Sequence, residues 1–485
     1  MVQIVLRNGR FKIGLIDVYI GRTMVGKIKH STESRGNHRM KYRCETLAIA
    51  GLVMWVLFAV PMARAQQAPA QQQTVLTKDE QYQISGILHD AYNDVKKYYY
   101  DPKLHGVDWD ARYKQYTAKI GNMRNLGEGF RLVAAFINGL HDSHVFFMPP
   151  ERANHYYPGY KIELVGNDGF ITQIRPNSDA ASKLHIGDLV VKHTGYNLNR
   201  DDFYDLRYYY TTLAPRPAVE LVLRSPEGAE RTAVVESRVK VGKTIYSYEE
   251  TSFHEDNQER ESENVDHATR SRIVEMGDVA IWKLQQFNLD DGEIIRAIRV
   301  VNNHKTLILD LRGNPGGYVD SLKMIVGSLF DKDIKIGDRV TRKETKPMVA
   351  KHRGSPFDGK IIVLVDASCA SAAEIMARVI QLEHRGKVIG DKTSGMVMES
   401  IQYRETQNGG TVFAYGFSIT DADLIMTDGH SLEKTGVQPD ELMLPTGADL
   451  AAGRDPVLAH AAELAGVKLD PVRAGKLFPY EWPPL

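Results

Sequence analysis

The stretch Ser-Cys-Ala-Ser-Ala-Ala-Glu-Ile-Met, Ser368–Met376, decides how this chain is read. It follows the apolar run Ile361–Val365 and opens a helical pattern with Ile375, Val379 and Leu382 on one face. A strand that turns sharply into a helix presents the residue at the turn, as at a nucleophile elbow. Ser371 stands at that turn. Its local reading is a capping box, in which Ser371 and Glu374 each satisfy a backbone N–H left free by the first helical turn. A serine before a helix is more often a cap than a catalyst, so the rest of the chain has to decide.

Upstream, from Met276, apolar runs alternate with helical ones: Val279–Leu284, Thr306–Leu311, a helix with Tyr318, Leu322, Ile325 and Leu329 on one face, and Ile361–Val365. Continuous apolar strands, each followed by a helix, predict an α/β core whose sheet is buried on both faces. A second strand end stands out at Asp310-Leu311-Arg312-Gly313-Asn314-Pro315-Gly316-Gly317. Its side-chain-free residues let backbone N–H groups face outward at a helix start, where a developing oxyanion is favoured. Asp310 and Arg312 are expected to pair and stiffen that turn.

The chain of 485 residues is 43% hydrophobic and 25% charged, which allows two or three globular domains. Lysine plus arginine and aspartate plus glutamate both total 61, so bulk charge gives no reason to expect nucleic acid as a partner. Cys44 and Cys369 are the only cysteines, too few for a disulfide framework, and Cys369 reads as a packed thiol. No HExxH, paired CxxC, GxxxxGKS or GxGxxG element is present. Neither metal nor cofactor is implied.

The N-terminal part reads as an address. Met40-Lys-Tyr-Arg precedes a mostly apolar run, Leu47–Val60, and Ala63-Arg64-Ala65 closes it, the three parts of a signal peptide over 40–65. The run is shorter than the ~20 residues of a membrane-spanning helix, and an uncleaved anchor is the alternative. The expected location is outside the cytoplasm, in a bacterial periplasm. Residues 1–39 read as an upstream extension with translation starting at Met40, and 66–76 as a Gln/Ala/Pro-rich leader. A helical region spans 77–154, opened by the capping pattern Thr77–Glu80 and closed by Leu140-His141-Asp142-Ser143-His144. From 155 to 241 short alternating runs separated by Asn167-Asp168-Gly169 and Pro226-Glu227-Gly228 predict a compact β domain. An acidic connector, 242–275, leads to the core at 276–485. Within it, His254 and His267 lack metal-ligand spacing.

In combination these segments resemble the carboxyl-terminal processing, or tail-specific, serine protease family. The resemblance is carried by Leu140–His144, Leu309–Gly317, Ala370–Ile375, Val388-Ile389-Gly390-Asp391-Lys392-Thr393-Ser394-Gly395, Gly436-Val437-Gln438-Pro439-Asp440 and Asp455-Pro456-Val457-Leu458. It implies a crotonase-like α/β catalytic core. Pro176–Ala181 and Leu184–Val190 resemble the centre of a PDZ domain, which would make the β domain a PDZ-like insert. Gly159, Tyr160, Lys161 and Ile162 then stand where the peptide-carboxylate loop lies, and an extended peptide end would add as a strand. The implied partners are protein or peptide substrates, held by their C-termini. The implied nucleophile is Ser371, with the amides of Ala372 and of Gly316 or Gly317 as the oxyanion hole.

Many members carry a lysine base in a Thr-x-Gly-Lys segment, which here reads Thr393-Ser394-Gly395-Met396. A thioether accepts no proton, and a serine without a base is a poor nucleophile near neutral pH. Three readings stay open. Tricorn-type relatives use a Ser-His pair and a glutamate before the Gly-Val-x-Pro-Asp segment, which maps onto Ser143, His144 and Glu433, with His144 as general base. Alternatively Lys392, ~13 Å along a strand from Met396, is a displaced base. The third reading is a catalytically silent peptide-binding adaptor.

Overall fold

The computed structural model describes residues 5–7, 10–12, 75–152, 154–241, 271–407 and 413–482. The expected signal peptide, the leader up to 74, Cys44 and the connector over 242–270 lie outside the described residues. The chain divides into two units, Met1–Thr74 and Val75–Leu485. In the first, the antiparallel pair β1 (Val5–Arg7) and β2 (Arg10–Lys12) is described. No helix among the described residues is long and apolar enough to cross a membrane.

The second unit begins with three helices, α1 (Lys78–Tyr98), α2 (Trp109–Thr117) and α3 (Leu126–Ile137). Thr77 and Glu80 make both halves of the predicted capping box at the start of α1. Ile84, Ile87, Leu88, Ala91 and Val95 of α1 pack with Val133, Phe136 and Ile137 of α3. The region is not purely helical, because β3 (Phe146–Met148) leaves it to join a sheet of the core. Phe147 drives this: it is fully buried, 5.6 Å from the ring of Phe417 and 6.0 Å from that of Phe130.

Next, β4 (Asn154–Tyr157) leads into a six-stranded antiparallel sheet of β5 (Tyr160–Val165), β6 (Asp168–Ile174), β7 (Leu189–His193), β8 (Tyr196–Asn197), β9 (Ala218–Arg224) and β10 (Glu230–Glu236). Helix α4 (Phe203–Tyr208) follows β8. The chain leaves by β11 (Arg238–Val241), which pairs with β4. The incoming and outgoing strands therefore form a two-stranded stem. The order is β10-β9-β7-β6-β5, so β5 is an edge strand.

The core sheet runs β12 (Arg272–Met276), β13 (Val279–Lys283), β14 (Thr306–Asp310), β17 (Lys360–Val365), β18 (Gly386–Gly390) and β21 (Glu441–Leu442). All its pairings are parallel except β12 with β13. Strand β12 starts inside the expected connector, since Ile273 packs on the core while Arg272 and Glu275 carry the charges of a sheet edge. Both faces are covered, as the apolar runs predict. Trp282, Leu307, Leu309, Ile361, Val363 and Val388 meet α5 (Asp291–Val301), α6 (Val319–Leu329) and α7 (Ala372–Leu382). Ile281, Ile308, Ile362, Leu364 and Ile389 meet α8 (Pro456–Leu464). Beside this lies an antiparallel sheet that the sequence analysis does not anticipate, ordered β16 (Thr345–Ala350), β15 (Ile334–Thr341), β20 (Phe413–Met426), β19 (Glu399–Gln407), with β3 on β20.

Candidate active site

The turn after β17 is tied to the glycine-rich turn after β14. Asp366 Oδ1 accepts from the N–H groups of Ser368 (3.0 Å) and Gly313 (2.9 Å), and the Ala370 N–H donates to the Asn314 carbonyl (3.0 Å). Behind it Arg312 bonds both Asp310 oxygens (2.9 and 2.8 Å) and both Asp455 oxygens (2.9 and 2.7 Å). Lys283 adds a bond to Asp310 at 3.1 Å. Burial opposes the Asp310 charge, but Arg312 and Lys283 outweigh it and hold the carboxyl well below its ordinary range. The expected pairing of 310 with 312 is present and reaches α8 through Asp455.

Ser371 ends this turn at φ 55°, ψ −120°. An N-cap residue ordinarily sits in the β region, as Thr77 (φ −60°, ψ 162°) and Asp290 (φ −75°, ψ 168°) do. A non-glycine residue at positive φ with that ψ is strained by about 1–3 kcal/mol and persists only where its surroundings impose it. Here they do: the Ser371 N–H donates to the Met396 carbonyl at 2.8 Å and to Glu374 Oε2 at 3.1 Å. A Cβ on Gly316 would lie 2.6 Å from the Ser371 Cβ, so only glycine fits at φ +99°. Among the described residues, the Ala372 and Gly317 N–H groups donate to no protein acceptor. The Gly316 N–H does, to Asn314 Oδ1 at 2.8 Å, with the Asn314 amide held by the Leu284 carbonyl. Of the two glycines expected as alternative donors, Gly316 is thereby spent and Gly317 remains.

Glu374 does far more than the capping pattern suggests. It is fully buried and accepts from Thr393 Oγ1 (2.5 Å), the Gly395 N–H (2.8 Å), the Met396 N–H (2.9 Å), Ser394 Oγ (3.2 Å) and the Ser371 N–H. Burial pushes its carboxyl up to about 7 against the pull of those donors. The carboxylate thus fixes the segment in which Met396 replaces lysine. Nothing in the sequence pattern separates such a hub from an exposed cap, because burial is a tertiary property.

The next amide along, Val397 N–H, donates to Glu433 Oε2 at 3.0 Å. Met396 and Val397 therefore bond Ser371 on one side and Glu433 on the other. Glu433 also accepts from the Ser143 N–H (Oε1, 2.9 Å) and the Ser143 hydroxyl (Oε2, 2.8 Å). Ser143 Oγ lies 2.8 Å from His144 Nδ1. A hydroxyl carries one proton, and with that proton given to the carboxylate the oxygen accepts from Nδ1–H. The imidazole is then the tautomer whose Nε2 lone pair is open. Burial lowers the His144 pKa below its ordinary 6.5, opposed by Asp142 and helped by Lys434, so the ring is neutral at pH 7. Burial raises that of Glu433.

The other expected residues lie elsewhere. Lys392 gives its carbonyl to Arg200 Nη1 of the inserted domain (2.9 Å), and among the described residues its Nζ forms no ion pair or hydrogen bond. Gly159 (φ +77°), Tyr160, Lys161 and Ile162 form the turn into β5 and its first half. The Cys369 thiol is buried, donates to the Leu311 carbonyl at 3.0 Å, and is pushed well above its ordinary pKa by burial.

Residues 278–443, which hold both strand-end turns and Glu433, match the sequence profile of peptidase family S41, and residues 81–137 match that of the tricorn protease C1 domain. Through these two segments the chain is similar to the tail-specific proteases. It is 25% identical to tricorn protease homolog 2 of Streptomyces coelicolor over 76% of this chain and 31% of that protein. It is 22% identical to a CtpA-like serine protease of Staphylococcus haemolyticus, over 85% of this chain and 75% of the relative. It is also 22% identical to carboxyl-terminal-processing peptidase 3, chloroplastic, of Arabidopsis thaliana, over 82% and 73%. The chain spans about a third of the length of the first curated relatives it matches. Among solved structures it shares the fold of mature CPAF, with a TM-score of 0.57 at 16% identity, covering 77% of this chain and 94% of that one.

Proposed function

We propose that this chain is a serine endopeptidase in which Ser371 is the nucleophile and His144 the general base. The observation that carries the proposal is the Ser143 hydroxyl bridging Glu433 Oε2 and His144 Nδ1, which leaves Nε2 free to take a proton. Ser371 Oγ attacks the scissile carbonyl as its proton passes to Nε2. The oxyanion is received by the N–H groups of Gly317 and Ala372, and the imidazolium returns the proton to the leaving amine. Water, activated by the same nitrogen, then releases the acyl group. Glu433 acts through Ser143, stabilising the imidazolium without touching it.

On the same crotonase-like reading, the inserted sheet is PDZ-like and takes a substrate's extended C-terminal end along the free edge of β5, beside the Gly159 turn. The signal-like segment supports an exported protein. A fluorophosphonate probe tests the centre: it should phosphonylate the Ser371 hydroxyl, with loss of fluoride, in the intact protein and fail to do so in His144→Ala. Labelling that persists without His144 would remove the proposed base. A free-acid peptide should bind more tightly than its C-terminal amide; equal binding would remove the end-reading role.

A further inference from the structure

His144 is carried on a short, tightly wound loop, and what winds it is Asp142. This carboxylate is buried to 4% exposure. Its Oδ1 accepts from the His144 N–H at 2.9 Å and from the Thr420 hydroxyl at 2.8 Å, and its Oδ2 accepts from the Tyr99 hydroxyl at 2.8 Å. The donors come from three places: the catalytic loop, strand β20, and the C-cap of α1. The two outer anchors are themselves joined, since the Tyr100 N–H donates to the Thr420 carbonyl at 3.0 Å. Just before Asp142, His141 is held at φ 52°, a left-handed conformation that tightens the loop.

We propose that Asp142 is the positioning residue of the His144 imidazole, fixing its loop to helix α1 and strand β20 through Tyr99 and Thr420. This rests on His144 being the base. It also goes beyond it, because Glu433 holds the ring's Nδ1 through the Ser143 hydroxyl and the loop through the Ser143 N–H, whereas the amide of His144 itself is held by Asp142. The charged groups around the ring are Asp142, Glu433 and Lys434; behind Asp142 stand Tyr99, Tyr100 and Asp423, together with His105. The Tyr99 phenol is raised by burial and then by Asp142, so it stays protonated and keeps donating. The Asp142 charge favours the imidazolium that forms as Ser371 gives up its proton, and works against the burial that opposes it.

The test compares Asp142→Asn, a near-isosteric change that removes the charge, with Thr420→Val, which removes an anchor and keeps the charge. In Asp142→Asn the acid limb of kcat/KM should move to lower pH by on the order of half a unit or more, with kcat down ~10-fold and KM little changed. The His144 ring titration, followed by NMR in a Ser371→Ala background, should move the same way. Thr420→Val should lower kcat several-fold and leave the inflection in place. A loss of activity in Asp142→Asn with an unmoved inflection and a lowered melting temperature would reduce Asp142 to a structural part and overturn the inference. Wild-type kinetics in both variants would overturn it too. If Asp142→Asn does not fold, Thr420→Val decides alone, since unchanged kcat there refutes the anchoring. An active His144→Ala enzyme would sink the base assignment itself, whereas an inactive one beside an unchanged Asp142→Asn would sink this inference alone.

Discussion

Two helices of this protein open with the same sequence grammar, Thr77 to Glu80 at α1 and Ser371 to Glu374 at α7, and the two boxes do different things. At α1 the glutamate lies at the surface and bonds its own cap, to the Thr77 N–H at 2.8 Å and to its hydroxyl at 2.9 Å. At α7 the glutamate is buried, serves donors from four other residues as well as the cap's N–H, and the cap residue is turned to positive φ. One box satisfies a helix end. The other builds a strained corner and braces it from below, with the strain of the corner held by the same carboxylate. The difference lies in burial and backbone angle, neither of which a four-residue pattern encodes.

The comparison breaks most sharply on activity. Ser371→Ala and His144→Ala should each lower kcat/KM by on the order of 10³-fold or more, and the double variant little further, because the groups act as a unit. Full additivity in peptide-hydrolysis kinetics would argue for separate roles. Glu374→Ala comes next: it strands the Gly395 and Met396 N–H groups at about 1–3 kcal/mol each if they stay dry, so stability in denaturant should fall by a few kcal/mol along with activity. Since burial raises the folded-state pKa of Glu374 from its ordinary 4.5 to about 7, its contribution to stability is full below about 4.5 and declines as pH rises through about 7. Urea unfolding from pH 4 to 8 should show that decline in the wild type and lose it in Glu374→Gln.

Smaller effects sharpen the contrast. The acid limb of kcat/KM should lie below pH 6.5, the direction in which burial moves His144. A limb well above that, abolished by Lys392→Ala, would restore the lysine alternative; the expected result of Lys392→Ala is a near-wild-type profile. Thr77→Ala should cost about 1 kcal/mol in thermal or denaturant unfolding and leave kcat untouched.

The doubly covered parallel sheet was legible from β13, β14 and β17, because strands with both faces buried have no polar alternation to obscure them. The sheet built on β19 and β20 was not, since its strands mix charged, polar and aromatic residues in an order that also suits a long loop. Ser143, His144 and Glu433 could be named from the sequence only through family resemblance. Their 290-residue separation carries no local signal, and the hydroxyl relay between them exists only in three dimensions. Gly316 and Gly317 looked interchangeable for the same reason: the bond to Asn314 that separates them depends on a side chain folding back onto its own turn. Asp142 was in plain view within Leu140–His144, but its donors on α1 and β20 are remote in the chain.

The stem of β4 and β11 carries a consequence for how this architecture can change. Tyr157 and Arg238 are direct cross-strand partners, so everything between them departs from and returns to one point. Splicing those two positions together with a tight hairpin would excise the whole inserted domain without rerouting the rest of the polypeptide. Modules attached this way can be lost, exchanged or grafted in a single recombination event, which leaves the inserted domain and the core free to evolve on separate schedules.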